Sequence, residues 1–274
     1  MNSLKLIFYG TPQLCVPYLD ALHSVGFTPS LIITAPDKPV GRKQIITPPP
    51  VKVWALAHDI PCLQPEKLTP EFIESVKAMG PFDLSILIAF GKILKQPLID
   101  LPEHGTLNVH YSLLPRHRGA SPTEATILSG DEEGGVTIQK MVFELDAGDI
   151  ISAAKIPLDG TEFKRDLWDI LSEIGCELLI DTIPEYLNND ITLLPQGSHG
   201  ITHCTKIEKD DGLIDIEKDN HLEIWRKFRA YDGWPGIFFV NTEGKRTNIT
   251  QASFENDLFI IEKVVVEGET EKEY

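Results

Sequence analysis

The stretch from Leu107 to Pro122, LNVHYSLLPRHRGASP, holds the side chains best suited to chemistry. Asn108 and His110 alternate with the apolar Leu107 and Val109, so in an extended strand both polar groups project on one face, two residues apart. A buried strand rarely carries Asn and His on one face unless they sit at its open end, where open α/β sheets bind their ligands. Composition alone leaves the other reading open, in which both are core residues with satisfied hydrogen bonds. The run breaks at Ser112-Leu113-Leu114-Pro115, passes Arg116, Arg118 and Gly119, and restarts as a helix at Ser121-Pro122. Further on, Leu145-Asp146-Ala147-Gly148-Asp149 reads as a turn between two strands, with Gly148 freeing the backbone beside Asp146. An Asn, a His and an Asp converging on one point suit acyl transfer to an amine. The amide and a protonated imidazole stabilise an oxyanion, while the carboxylate holds the His charged or relays a proton.

The elements that must position these groups follow from hydrophobic pattern. Short, near-continuous apolar runs at Leu4 to Tyr9, Ser30 to Thr34, Leu84 to Phe90 and Thr106 to His110 read as strands buried on both faces. Helical stretches lie between them and just after at Val16 to Val25, Val51 to His58, Pro70 to Met79 and Pro122 to Ser129, which makes an open, doubly wound α/β sheet. Two more strands, Val136 to Phe143 and Ile150 to Ile156, flank the Asp146 turn, and a helix from Phe163 to Tyr186 closes the unit. Domain boundaries are placed at 1-190 for this unit, 191-205 for a linker carrying Pro195, Gly197 and Gly200, and 206-274 for a smaller β-rich domain. A strand pattern that runs almost to Tyr274 is what a domain cut short at its end would show.

Several alternatives are excluded by what is missing: a GxxxxGK[ST] loop, a GxGxxG after the first strand, a GxSxG elbow and an HExxH pair. Thr11-Pro12 after the first strand reads as a helix cap with its first-turn proline. His199, His203 and Cys204 have a metal-like spacing with no second cluster to complete it, so no metal is expected. With 25 basic and 41 acidic residues the 274-residue chain carries −16, which rules out a general polyanion-coating role. The four scattered cysteines fit reduced thiols, and neither a membrane span nor a leader layout is legible, so the expectation is a cytoplasmic protein with no membrane partner.

Taken together, Asn108-Val-His110-Tyr-Ser112-Leu-Leu-Pro115-Arg-His-Arg-Gly119 and Leu145-Asp146-Ala-Gly148-Asp149 resemble the signature of the folate-dependent formyltransferases. Within that superfamily, Phe8-Tyr-Gly-Thr-Pro12, Ala35-Pro-Asp-Lys-Pro-Val-Gly-Arg42, Thr47-Pro-Pro-Pro-Val-Lys52, Gln64-Pro-Glu-Lys-Leu68 and Phe228-Arg-Ala-Tyr-Asp-Gly-Trp-Pro-Gly236 are similar to segments of the methionyl-tRNA formyltransferases. The resemblance implies a Rossmann-like, mostly parallel sheet joined to a C-terminal OB-like β-barrel. It implies 10-formyltetrahydrofolate as formyl donor and co-substrate, initiator methionyl-tRNA as acceptor, and a monomer. It also implies Asn108, His110 and Asp146 as catalytic residues. Ser112, Leu113, Leu114 and Pro115, with Phe90, Gly91, Ile93 and Leu94, match the folate segments, and Arg42, Lys38 and Lys43 lie in a loop that approaches tRNA.

The resemblance leaves rivals: a formyltransferase acting on a small amine such as an amino sugar or glycinamide ribonucleotide, a formyl-folate hydrolase, or a non-catalytic folate- or tRNA-binding module. The 35 to 50 loop and the second domain count against a small acceptor. Residues 206 to 274 hold 10 basic and 16 acidic side chains, so phosphate affinity there would have to come from patches such as Arg226-Lys227-Arg229 and Lys245-Arg246.

Overall fold

The computed structural model describes residues 4–41 and 43–274, so Met1 to Ser3 and Arg42 lie outside the described residues. Two compact units emerge, one drawn from Met1–Arg118, Gly135–Ala154 and Asp169–Ile201, the other from Gly119–Gly134, Lys155–Trp168 and Thr202–Tyr274.

In chain order the elements up to the functional strand are β1 (Leu6–Gly10), α1 (Val16–Ser24), β2 (Leu31–Ile33), β3 (Lys38–Val40), β4 (Ile45–Thr47), α2 (Pro50–Ala57), β5 (Cys62–Leu63), α3 (Pro70–Ala78), β6 (Leu84–Ile88), α4 (Gln96–Ile99) and β7 (Thr106–His110). There follow β8 (Arg118–Gly119), α5 (Pro122–Ser129), β9 (Glu133–Lys140), β10 (Ile150–Pro157) and α6 (Lys164–Leu187). The central sheet has seven strands in the order β10-β9-β7-β6-β1-β2-β5. β1 pairs parallel with both β2 and β6, β6 pairs parallel with β7, and β9 turns antiparallel on β7. The mostly parallel sheet expected from the apolar runs is therefore present. Leu6, Ile7, Phe8 and Tyr9 are fully buried because helices cover both faces, and each such side chain contributes about 1.5–3 kcal/mol by leaving water.

Because β2 and β6 lie on opposite sides of β1, the strand order reverses there, and the crevice beyond the carboxyl ends of β1 and β6 is where such sheets admit ligands. Thr11 sits at that reversal. Its expected role as a helix cap is not what the structure shows: the chain continues as a 3-10 turn with Pro12 at its cap position, and α1 starts only at Val16. The Thr11 hydroxyl instead donates to the Phe90 carbonyl at 3.3 Å and accepts from the Ala35 amide at 3.4 Å, tying three loops together.

Residues 35 to 50, expected as a loop, contain a β-hairpin. Lys38 pairs with Thr47, Pro39 with Ile46 and Val40 with Ile45, and Gly41, Lys43 and Gln44 lie between the paired strands. At its base Asp37 accepts from Lys52 Nζ at 2.8 Å and from Gln64 Nε2 at 2.7 Å. The Asp37 pKa is lowered from its ordinary value, chiefly by the Lys52 hydrogen bond and then by Gln64.

The second unit contains β11 (His203–Cys204), α7 (His221–Ala230), β12 (Ile237–Val240), β13 (Arg246–Glu255), β14 (Leu258–Val266) and β15 (Lys272–Glu273). The last four strands form one antiparallel sheet in sequence order. β13 and β14 are joined by Asn256 and Asp257, both with positive φ, the two-residue turn whose twist suits a hairpin. α7 opens on Asn220, whose side chain accepts from the amides of Leu222 and Glu223. Trp225 of α7 stacks on Phe254 and Phe228, with centroids 6.1 and 5.8 Å apart. Most of the cationic patches read from the sequence are committed locally. Arg229 is buried with Nη1 on the Glu162 carbonyl, Arg246 lies over the Phe238 ring, and Lys245 pairs with Glu243. Among the described residues, no helix is long and apolar enough to cross a membrane.

Candidate active site

β7 places Asn108 and His110 on one face at the carboxyl-end half of the strand, as the alternation requires, and both are almost fully buried. The antiparallel register of β9 sets Gln139 opposite Asn108 and Thr137 opposite His110. Two cross-strand polar pairs thus share one face, all four side chains at most 6% exposed. The loop from β9 to β10 returns Asp146 over this face. Asn108 Nδ2 donates to Asp146 Oδ1 at 3.1 Å, Gln139 Nε2 donates to the same oxygen at 2.8 Å, and His110 Nδ1 lies 3.6 Å from it. The structure therefore brings together the three residues singled out in the sequence, with Gln139 as a fourth. Gln139 carried a legible signal, because Thr137 and Gln139 alternate with Val136 and Ile138 as Asn108 and His110 do with their neighbours.

The turn's geometry differs from the sequence reading in one respect. Asp146 itself, not Gly148, takes the left-handed conformation, with φ of 50°, which Asp tolerates better than most residues. Gly148 is required for space: a Cβ there would run into the Lys140 carbonyl. Its amide donates to Gln139 Oε1 at 3.1 Å, so one glutamine holds both ends of the turn.

On its other side the His110 ring meets the loop after β7. Nε2 lies 3.0 Å from the carbonyl of His117, whose own φ of 57° turns that carbonyl inward. A carbonyl only accepts, so Nε2 carries hydrogen and Nδ1 faces the carboxylate. Burial pushes the His110 pKa below its ordinary value, opposed by the Asp146 charge. Ordinary pH therefore favours the uncharged ring, a proton acceptor at Nδ1, which suits the proton relay among the two roles read from the sequence.

The Ser112 to Pro115 segment is held against β9 by Thr137. Its hydroxyl donates to the Ser112 carbonyl at 2.7 Å and accepts from the Leu114 amide at 3.2 Å. Ser112 Oγ is spent on the Arg116 carbonyl at 2.7 Å, and Leu114 is buried. A Cβ on Gly135 would collide with Leu113, so the glycine lets this segment lie close to β9. In the second expected segment Phe90 and Leu94 are buried in the core cluster with Tyr9 and Leu98, whereas Gly91 and Ile93 are exposed, Ile93 at 76%. Both segments leave the same edge of the sheet, since β6 and β7 run parallel with Leu87 beside Asn108. Of the basic residues, Lys38 and Lys43 are exposed on the β3–β4 hairpin, and Arg42 lies outside the described residues.

One residue of the expected 191-205 linker also reaches the site. Leu194 forms a backbone bridge with Ile150, and two residues on Gln196 reaches the Asp146 turn, donating to the carbonyls of Asp146 and Gly148 at 2.9 and 2.7 Å. Nothing local in the sequence marks it, because its partners are some fifty residues away.

Residues 3–183 match the family described as Formyl transferase, and residues 206–270 match Formyl transferase, C-terminal domain. The chain is 42% identical over 92% of its length to a methionyl-tRNA formyltransferase of Listeria monocytogenes, covering 80% of that protein. It is 40% identical over 90% of its length to the enzyme of that name from Halalkalibacterium halodurans, covering 77% of it. In fold it is similar to the crystal structure of WlaRD, a sugar 3N-formyl transferase in the presence of dTDP and 5-N-formyl-THF, with TM-score 0.67, 18% identity, and 97% of this chain and 94% of that one covered. Matched over residues 3–183 by that family and 42% identical over 92% of its length to a methionyl-tRNA formyltransferase, the chain belongs to the formyl transferase family.

Proposed function

We propose that this protein transfers the formyl group of 10-formyltetrahydrofolate to the α-amino group of initiator methionyl-tRNA. The acceptor is supported above all by the 42% identity, over nearly the whole chain, to an enzyme named for that reaction. The donor is supported by the folate derivative named with WlaRD. On this reading the enzyme is a cytoplasmic monomer without a catalytic metal. Residues 1-190 form the catalytic domain, 191-205 a linker, and 206-274 a C-terminal β-barrel domain that contacts tRNA together with Lys38, Arg42 and Lys43. The donor lies along Phe90, Gly91, Ile93 and Leu94 and along Ser112 to Pro115, where apolar side chains and loop backbone suit a flat heterocycle with polar edges.

In the reaction the neutral amine attacks the formyl carbon, a C–N bond forms, and the carbonyl oxygen takes up negative charge. Asn108 spends one amide hydrogen on Asp146 and offers the other to that oxygen, an interaction worth about 3 kcal/mol in the transition state. His110, uncharged and oriented by the His117 carbonyl, accepts the proton shed by the attacking nitrogen, and Asp146 stabilises the imidazolium formed. The same proton is delivered to N10 as the bond from N10 to the formyl carbon breaks, leaving tetrahydrofolate and the formylated amine.

Purified protein incubated with 10-formyltetrahydrofolate and charged initiator tRNA tests the proposal. Formyl-methionyl-tRNA should form far faster than formylated free methionine, glycinamide ribonucleotide or a nucleotide-linked amino sugar at equal concentration. Faster reaction with one of these small amines, or formate release without acceptor, would move the protein to that rival activity.

A further inference from the structure

We propose that Gln196 is a positioning residue for Asp146, a clamp that holds the backbone of the Asp146–Gly148 turn and is itself aimed by Arg118. This rests on the functional reading above, in which Asp146 serves the His110 proton transfer.

Asp146 is held in two independent ways. Its carboxylate is fixed by the Asn108 and Gln139 amides, and its backbone by Gln196, whose two amide hydrogens go to the Asp146 carbonyl at 2.9 Å and the Gly148 carbonyl at 2.7 Å. The residue between those carbonyls is Ala147, so the amide spans the turn like a staple. Such a staple matters here because Asp146 adopts a left-handed conformation, uncommon even for Asp, which tolerates it better than most residues, and a turn released from the staple would relax.

The orientation of the Gln196 amide is determined by its partners. Oε1 accepts from Arg118 Nε at 3.0 Å and Nη2 at 2.7 Å, and a guanidinium has no acceptor. The NH2 end must then face the two carbonyls, which have no donor. Arg118 is 6% exposed, and its Nη1 lies 3.8 Å from Glu144, at the start of the same turn. Gln196 is carried to this place by the two backbone hydrogen bonds between Leu194 and Ile150, of 2.8 and 2.9 Å, which fasten its segment to the strand leaving the turn. Both sides of the Asp146 loop are thus attached to one amide.

The test uses Gln196→Glu, nearly isosteric, which keeps the bond to Arg118 but sets carboxylate oxygen against two carbonyls, and Gln196→Ala beside it. Asp146 presents its carboxylate to the His110 ring and His117 its carbonyl, so loosening the turn moves that carboxylate away from the ring. Single-turnover formyl transfer should slow at least tenfold in both variants, with KM for donor and acceptor within about twofold of the parent. NMR titration of the His110 ring should move in the same direction as in Asp146→Asn, with the folded circular dichroism spectrum retained. A His110 titration identical to the parent's, or a loss expressed only in KM, overturns the clamp. Since the titration needs no substrate, a wild-type protein that fails to formylate methionyl-tRNA while Gln196→Glu still shifts His110 would refute the acceptor and leave the clamp standing.

Discussion

Asn108 and Gln139 face each other across β7 and β9 and donate to the same oxygen of Asp146, at 3.1 and 2.8 Å. Neither strand alone could hold the carboxylate in place. The pairing of an antiparallel strand onto the edge of a parallel sheet makes a two-amide cradle, and His110 and Thr137 form the next rung.

The trio gives the most direct expectation. His110→Ala, Asn108→Ala and Asp146→Asn should each lower single-turnover formyl transfer about 100-fold or more with the fold retained, because each removes a preorganised group at the reacting carbon. Circular dichroism checks the fold. Near-parental rates in any two would remove the assignment.

Gln139→Ala should reduce kcat about tenfold. It deletes one donor to Asp146 and the acceptor for the Gly148 amide, while Asn108 keeps its bond to Oδ1. KM for either substrate should barely change, since the side chain is buried behind the carboxylate. A variant impaired in KM alone would place Gln139 on a substrate instead.

The pH profile should carry the depressed His110 value. If the uncharged ring accepts the proton, activity is lost as pH falls through a pKa below the ordinary 6.5, and Asp146→Asn moves that limb lower still, because the carboxylate is what opposes burial. Stability follows the same sign. Unfolded His110 binds its proton at higher pH than folded His110, so its contribution is intact above 6.5 and falls away as pH drops through the folded pKa. An acid limb above 6.5 in the kcat/KM profile would contradict this.

Arg42→Ala should raise KM for methionyl-tRNA, or lower kcat/KM, by on the order of tenfold, with folate affinity unchanged, through loss of a charge-assisted contact to RNA. Lys43 is exposed between β3 and β4 and is followed by Gln44 rather than proline, so trypsin should cut after it in the free protein and be blocked by bound tRNA. Equal cleavage with and without tRNA, together with an unaltered KM, would reduce the hairpin to an ordinary surface feature.

Local chemistry determined much of this protein before any coordinate was known. Alternation around Asn108 and His110 placed a strand at Thr106–His110, Ser121-Pro122 opened a helix at Pro122–Ser129, and continuous apolar runs announced a sheet buried on both faces. These signals are legible because they depend on neighbours a few residues apart. The tertiary structure alone decided which distant groups meet. Gln139 became a partner of Asp146 when β9 took its antiparallel register on β7, and Thr11 found the Phe90 carbonyl where three loops converge. The His117 carbonyl turned inward through a left-handed backbone, and Gln196 reached across fifty residues to a turn that its own segment does not resemble. Hydrogen bonds of this kind have no period in the chain, since partners are matched by strand order and loop closure, and residue types only limit who can donate and who can accept.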